Sequence, residues 1–432
     1  MFEITSTSAR RARRSAIGVA AAAGLAILVA GCTATPTDSG GSGDLLGTDD
    51  GTTLTMWSRS ATEAQSQAFV DAYNASHENQ VELTIIPNDD FVTKVGAAAG
   101  GGGLPDLISA DIVFVPNWTS QGLFVDLTDR IDSLPFVDDI APSHIEAGTW
   151  EGAKYIVPHT MDLSVLFYNK DLYEQAGLDP DAPPTTLKEF DEQARAIAQV
   201  PGDHNGTFFG GDCGGCLVFT WWPSIWADGG EPLSADGRTA QLNSPEAQAV
   251  YEIYRGLVDD GIVYTGTDTE KGPTWVQPFG EGKVGLMPMP STTLGSMPDT
   301  TGVAAIPGVN GNGSTFVGGD GLGISGTSKN VDAAWNFVAW TLSDEAQIEV
   351  LAKGGNVVAR TDLATNKYSE ADPRVVLINE IAASGHTPFS TNFNAAFNSP
   401  GSPWLTLVRN QVFGDPTTLD ADNDAITKEL DQ

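Results

Sequence analysis

"YIVPHTMDLSVLFYNKDLYEQAGL" runs from Tyr155 to Leu178. Two apolar stretches flank "PHTMD", and each reads as a strand. Outward from there the chain alternates strands with helices. Upstream, "TLTMW" from Thr53 reads as a strand. In "ATEAQSQAFVDAYNASH", Ala64, Ala68 and Ala72 recur at helical spacing with Phe69 and Tyr73. "VELTII" alternates Val81, Leu83 and Ile85 as a strand does, and "GGGLPDLISAD" holds a Gly-Pro break before another strand. "NWTSQGLFVDL" contains a helix end. Strand, helix, strand, helix is the pattern of a parallel sheet with right-handed crossovers.

Downstream, "PPTTLKEFDEQARAIAQ" opens a helix. Thr186 caps it, Glu189 completes a capping box, and Leu187, Phe190, Ala194 and Ile197 form its buried stripe. "NSPEAQAVYEIYRGLVDDG" opens another, with Ser244 as cap and Pro245 in the first turn. Its core face is Val250, Tyr251, Tyr254, Leu257 and Val258. "GKVGLMPMP", "GVAAIPG" and "GLGIS" read as short buried strands, and "KNVDAAWNFVAWTLSDEAQIEVLAKGG" as helical. About 400 residues remain once the N-terminus is set aside, more than one hydrophobic core usually serves, so the pattern predicts two α/β lobes.

The N-terminus is of another kind. Arg10, Arg11, Arg13 and Arg14 precede an uncharged run from Ala16 to Gly31, which ends in "LAILVAGCTAT". A basic stretch, a short apolar core and small residues at a cut site make a secretory signal peptide. The run is short for a membrane span, which needs roughly 20 apolar residues. Val29-Ala30-Gly31-Cys32 resembles a bacterial lipobox, which implies cleavage before Cys32 and a lipid on that cysteine. "TATPTDSGGSGDLLGTDDGT" then reads as a flexible polar tether. Residues 1–31 are thus a lipoprotein signal peptide and 32–52 a tether. The expected location is the extracytoplasmic face of the cell membrane.

The formal charge is −34, and removing residues 1–31 takes away four Arg and one Glu, leaving −37. Such a surface repels nucleic acid and anionic lipid. Of three cysteines, Cys213 and Cys216 remain, in "GDCGGCLVF". The spacing suits a redox pair, half a zinc site or a local disulfide. With no second cysteine pair and an exported location, a structural disulfide is expected and a metal is not.

The order of motifs resembles the family 1 extracellular solute-binding proteins of ABC importers, the group that includes maltose-binding protein. The matching pieces are "TLTMWSRS", "GGGLPDLISAD", the Tyr155–Leu178 stretch with "PPTTLKEF" after it, "FGEGKVGLM", "GGDGLGIS" and "AAWNFVAWTLSDEAQ". Tyr168-Asn169-Lys170 and the Gly-Lys-Val-Gly-Leu-Met stretch are the most specific. The resemblance implies a two-lobed periplasmic-binding-protein-like α/β fold with a ligand cleft between lobes. Crossings would fall near Pro158–Ser164, Val303–Gly308 and Leu342–Val350. One lobe would hold 53–160 and 305–345, the other 164–302 and 350–432. It further implies a monomer that captures a small neutral carbohydrate and passes it to the transmembrane permease subunits of an ABC transporter.

Sugars are held by aromatic faces and planar polar side chains. Candidates are residues at strand ends and in the loops after them. Trp57, Ser58 and Arg59 follow the first strand, Asp111 follows "PDLISA", and Trp118 lies beyond. His159 and Asp162 sit at the first crossing. Trp221, Trp222 and Trp226 follow the cysteine pair, although at least one of them must pack inside. Asp320 lies in "GGDG", and Asn356 and Arg360 in "GGNVVAR". Trp335 and Trp340 fall in an apolar helical pattern and belong to the core. Asp111 and Asp320 each follow apolar runs, where an unpaired carboxylate is costly.

The rival class is an exported carbohydrate-active enzyme. The chain has no Gly-x-Ser-x-Gly elbow, Ser-x-x-Lys, His-Glu-x-x-His or phosphate loop. Gly321-x-Gly323-x-x-Gly326 matches a dinucleotide fingerprint, but alone and in an exported chain it carries little weight, so no cofactor is expected. An amino-acid or organic-anion carrier would want a free arginine. Arg59 and Arg360 are the plausible ones among eight in the mature chain.

Overall fold

The computed structural model describes residues 46–432. The signal peptide, the lipobox and most of the tether lie outside these residues. From Leu46 the polar stretch lies on the fold: Asn336 Nδ2 donates to the Leu46 carbonyl at 3.0 Å, and Asn79 N to Asp49 Oδ1 at 2.6 Å.

Nine of the described strands form one sheet. Strand β1 (Thr53–Arg59) pairs in parallel with β2 (Gln80–Ile86) and β3 (Leu107–Asp111). The crossover between β1 and β2 is helix α1 (Glu63–Ser76), and that between β2 and β3 is α2 (Asn88–Gly101). In α1 the buried residues are Ser66, Phe69, Val70 and Tyr73, while Ala64 and Ala68 face solvent. The alanine spacing marked the helix but not its inner face. A short helix α3 (Val115–Ser120) follows β3.

The two strands read on either side of "PHTMD" are one, β4 (Ile156–Asn169). Its partner is equally long. Strands β5 (Leu286–Pro290), β6 (Thr301–Ala304) and β7 (Ile306–Gly308) precede β8 (Gly311–Ile324), and the two-residue β9 (Gly385–His386) adds to β8. Ile156–Leu163 of β4 pairs with β8, and Ser164–Asn169 pairs with β5 and β6. Along its other edge the same part of β8 pairs with β3, Asp320 opposite Asp111. Pro158 offers no N–H to this ladder, and the register shifts between Asp320 and Gly321, opposite it. That irregularity lets extended backbone run through a proline that looks like a break.

Glycines make β8 fit. At Gly319 φ is +108°, and a Cβ there would stand 2.0 Å from the Thr160 carbonyl oxygen. Gly321 and Gly323, two members of the dinucleotide-like spacing, lie within β8. There they clear Ile156 and Phe124 and do not turn a strand into a helix at a phosphate.

Helix α4 (Leu187–Ala198) buries its four predicted core residues. Thr186 Oγ1 accepts from Glu189 N at 3.0 Å, and the returning arm of the box reaches one residue further, Thr185 N donating to Glu189 Oε2 at 2.7 Å. The stretch containing the three tryptophans is helix α5 (Gly214–Ala227), capped by Cys213, whose disulfide to Cys216 closes the first turn. It is apolar around most of its circumference and correspondingly buried. Helix α6 (Pro245–Asp259) has Ser244 as its cap and buries Val250, Tyr251, Tyr254 and Leu257. Helix α7 (Val331–Thr341) holds Trp335 and Trp340 in the core. Backbone bridges Ile140–Arg360 and Met161–Val357 fasten the segment after α7 beside β4. Among the described residues no helix is long and apolar enough to cross a membrane.

Candidate ligand cleft

The C-terminal ends of β1 and β3 put Arg59 and Asp111 side by side, and β4 brings Asp162 to the same place. These three are the charged side chains lining a cavity of about 230 Å³. Its lining includes Phe219, Trp275, Phe316 and Phe393, with Asn398, Val113, Gly318 and Gly319.

Arg59 is paired with two carboxylates. Its Nε donates to Asp320 Oδ1 at 2.6 Å, and its Nη1 lies 2.8 Å from Asp111 Oδ2. Asp320 has no exposed surface and also accepts from Thr62 Oγ1 at 2.8 Å and Ser109 Oγ at 2.9 Å. Burial raises its pKa, but Arg59 and these hydroxyls outweigh burial, so Asp320 sits below the usual carboxylate range and stays charged. Asp111 moves the other way. Burial and the neighbouring Asp320 charge lift it, against Arg59 and the Val113 N–H.

Asp162 is the least compensated of the group. Burial pushes it up to about 6, against a hydroxyl and an N–H from Ser291 and Thr292 and the charge of Arg59. Behind Arg59, Ser58 Oγ meets Ser66 Oγ at 2.8 Å, and Ser66 Oγ meets His159 Nε2 at 3.1 Å. His159 and His144 are buried, and burial pushes both down to about 4 despite the pull of Asp320, so both are neutral at pH 7.

Of the residues named from sequence, Arg59, Asp111 and Asp162 line the cleft, and Asp320, Ser58 and His159 lie in the polar layer beneath it. The structure places the others apart from its lining. Trp57 packs half-buried under Lys94, 4.8 Å from its ring. Trp118 packs on Phe91 and Phe114 beside a separate recess. Trp221 and Trp222 are wholly buried, Trp221 stacked on Tyr254 at 4.3 Å and Trp222 edge-on to Phe397 and Phe393. Burial in the core leaves neither a face for a solute. Trp226 stacks on His386 at 5.0 Å. Asn356 accepts from Gln65 Nε2, and Arg360 is held by Asp344 and Asp362 at a 700 Å³ recess that shares only β4 and β8 with the cleft.

Sequence reasoning missed Phe219, Trp275, Phe316, Phe393 and Asn398. Gly215 and Phe219 stand at i and i+4 of α5, so reading that stretch as a helix would have put Phe219 on the face of a glycine. Phe393 and Asn398 lie in a region without regular periodicity.

The model of the family described as "Bacterial extracellular solute-binding protein" matches residues 68–376. The chain belongs to this family. Among individual relatives, this extracellular solute-binding protein is 24% identical over 423 residues to the diacetylchitobiose binding protein DasA of Streptomyces coelicolor, covering 92% of this chain and 94% of that one. It is 26% identical over 264 residues to a putative binding protein of Brucella abortus, and there it spans 63% of the relative's length and 60% of its own. The cyclic alpha-maltosyl-1,6-maltose binding protein from Arthrobacter globiformis has the same two-lobed fold, with a TM-score of 0.74 at 26% identity over 88% of this chain and 100% of that one. A Thermotoga lettingae solute-binding protein shares the fold at a TM-score of 0.76 and 21% identity, over 88% and 100%. All four are described as binding proteins.

Proposed function

We propose that this solute-binding protein captures a sugar or oligosaccharide in the cleft at Arg59, Asp111 and Asp162, closes its lobes on it, and delivers it to an ABC permease. The observation that carries this reading is one cavity combining aromatic walls with hydrogen-bonding carboxylates at strand ends. An anionic ligand fits poorly. Arg59 already serves Asp111 and Asp320, so a ligand carboxylate would meet acidic groups with no cation to spare. The names of the Streptomyces and Arthrobacter relatives support the carbohydrate class.

The lobes would be 53–160 with 305–345, and 164–302 with 350–432, with β4 and β8 running between them. The first half of β4 pairs with β8 and its second with β5 and β6, while the first half of β8 pairs with β7 and β9 and its second with β3 and β4, as hinge-crossing strands would. A lipid on Cys32 would hold the protein beside its permease. Cys32→Ala is expected to release it into the medium or leave it unprocessed, and unchanged membrane retention would contradict the anchor.

A thermal-shift screen of mono- and oligosaccharides, amino acids and organic acids tests the ligand class, because a cleft ligand stabilises the fold by mass action. The expected result is a rise in melting temperature with a carbohydrate that is recovered intact. Stabilisation by an organic acid alone overturns the carbohydrate reading, and hydrolysis of the sugar overturns the binding-protein reading.

A further inference from the structure

Cys216 lines the cleft and is covalently bound to Cys213. The disulfide closes the first turn of α5, where Cys216 N also donates to Cys213 Sγ at 3.2 Å. From that turn Gly215, Cys216, Val218 and Phe219 follow one another along the cleft.

Two other parts of the lining rest against the same turn. Gly272 comes so close to the disulfide that a Cβ on it would stand 3.0 Å from Cys213 Sγ and 3.2 Å from Cys216 Sγ, and its φ is +111°. The turn that follows carries Trp275, whose backbone N–H donates to the Gly272 carbonyl at 3.4 Å. Glu270 ties this turn to the residues before α5. Its side chain accepts from Gly272 N at 2.8 Å, and its carbonyl accepts from Asp212 N at 2.9 Å. On the other side, Trp404 Nε1 donates to the Gly214 carbonyl at 3.1 Å, and a Cβ on Gly215 would stand 3.0 Å from Asn398 Oδ1. Helix α5, the Trp275 turn and the C-terminal stretch with Asn398 thus meet at one disulfide-bonded turn.

A bond between residues three apart removes little entropy from the unfolded chain, because that gain grows with loop length. Nor does it join distant parts of the fold. Helix α5 is held in the core by Trp221 and Trp222, whether or not the sulfurs are bonded. What the bond fixes is the shape of the turn. Two reduced sulfurs must part, and Gly272 lies close against both.

We propose that Cys213–Cys216 is a positioning disulfide. It holds the first turn of α5 and the Trp275 turn in the arrangement that meets the solute, so that affinity in the cleft depends on it and stability of the fold does not. This rests on the cleft being the solute site, whatever the class of solute.

The test compares the oxidised and reduced forms of the mature protein. Dithiothreitol passes two electrons and two protons to the pair, giving two protein thiols and its own cyclic disulfide. Each form is titrated calorimetrically with maltotriose, N,N′-diacetylchitobiose and arabinotriose, and amide hydrogen exchange is followed in the free protein. Reduction is expected to weaken binding by about tenfold or more, since Phe219 and Trp275, once loosened, must be ordered by the solute itself. Amides of residues 214–219 and 272–276 should exchange faster while those of 221–227 do not. The melting midpoint should fall by no more than about 4 °C. Cys213→Ser, which leaves Cys216 in the lining, should bind as weakly as reduced wild type and melt as it does, and reoxidation of wild type should restore its affinity. Equal affinity of the two forms overturns the proposal and leaves the solute cleft standing. Weaker binding together with a collapse of the melting midpoint also overturns it, because the disulfide would then serve the fold. Where none of the three sugars binds either form, the carbohydrate reading fails for them and exchange decides alone: equal exchange over 214–219 in the two forms overturns the proposal, and faster exchange confined to the two turns upholds it.

Discussion

Asp320 is wholly buried and shares Arg59 with Asp111, so the cation that compensates it is a single side chain. Replacing Arg59 by Met would strand that charge. The expected loss is about 3–5 kcal/mol of stability, the cost of leaving one partner of a buried pair alone. Urea unfolding of Arg59→Met measures it, and adding Asp320→Asn should restore a large part; equal stability of wild type and single variant would contradict the arrangement. The sequence made the need for a partner legible, since a carboxylate after an apolar run must find one, but the partner lies 261 residues away. The buried histidines give a pH dependence. Unfolded, His144 and His159 take a proton near 6.5; folded, only near 4. Between those values the unfolded chain binds more protons, so stability present above about pH 6.5 is lost as pH falls toward 4, by on the order of 3 kcal/mol for each. Urea midpoints from pH 7 to 4.5 should decline steeply in the wild type and less so in His159→Gln, whereas parallel curves for the two would rule out a titrating His159.

At the scale of elements, periodicity served well where one face of a helix meets water. In α4 and α6 the caps and the buried stripes follow directly from the spacing. It failed in two places, for two reasons. The stretch at Trp221, Trp222 and Trp226 is apolar on nearly every side, so it has no period to read, and it took the appearance of an aromatic loop when it is a buried helix. Strand β4 looked interrupted because Pro158 lacks a ladder donor, and the compensating bulge, at His159, shows only in the pairing with β8, where the neighbours Asp320 and Gly321 face Thr160 and Pro158. Next to that bulge, β8 comes close to β4 at Gly319. Gly319→Ala would force a side chain onto the Thr160 carbonyl in a left-handed backbone conformation, costing about 1–3 kcal/mol. A melting curve checks this; an unchanged midpoint would mean that β8 can retreat from β4 at no cost.

On the scale of the whole molecule, the alternation of strands and helices foretold α/β lobes, and the order of motifs placed them in the solute-binding family that the matched residues 68–376 establish. The cleft was legible only in part. Its charged members sit at strand ends, where the fold itself concentrates polar groups, so Arg59, Asp111 and Asp162 could be named. Its aromatic members come from α5, the turn at Trp275, β8 and an irregular C-terminal stretch, brought together by tertiary packing with no local mark. Tryptophan abundance pointed instead to the core, where Trp221, Trp222, Trp335 and Trp404 are wholly buried. The central claim is that the cavity at Arg59, Asp111, Asp162 and Phe219 is where solute binds. Calorimetric titration of the best sugar from the screen into wild type, Phe219→Ala and Trp222→Ala, with melting curves on all three, tests it most directly. Phe219→Ala should weaken binding by about 1–3 kcal/mol with little change in melting, and Trp222→Ala should destabilise the fold by about 3–5 kcal/mol. Full affinity in Phe219→Ala, with binding lost only where the fold is lost, would contradict that claim.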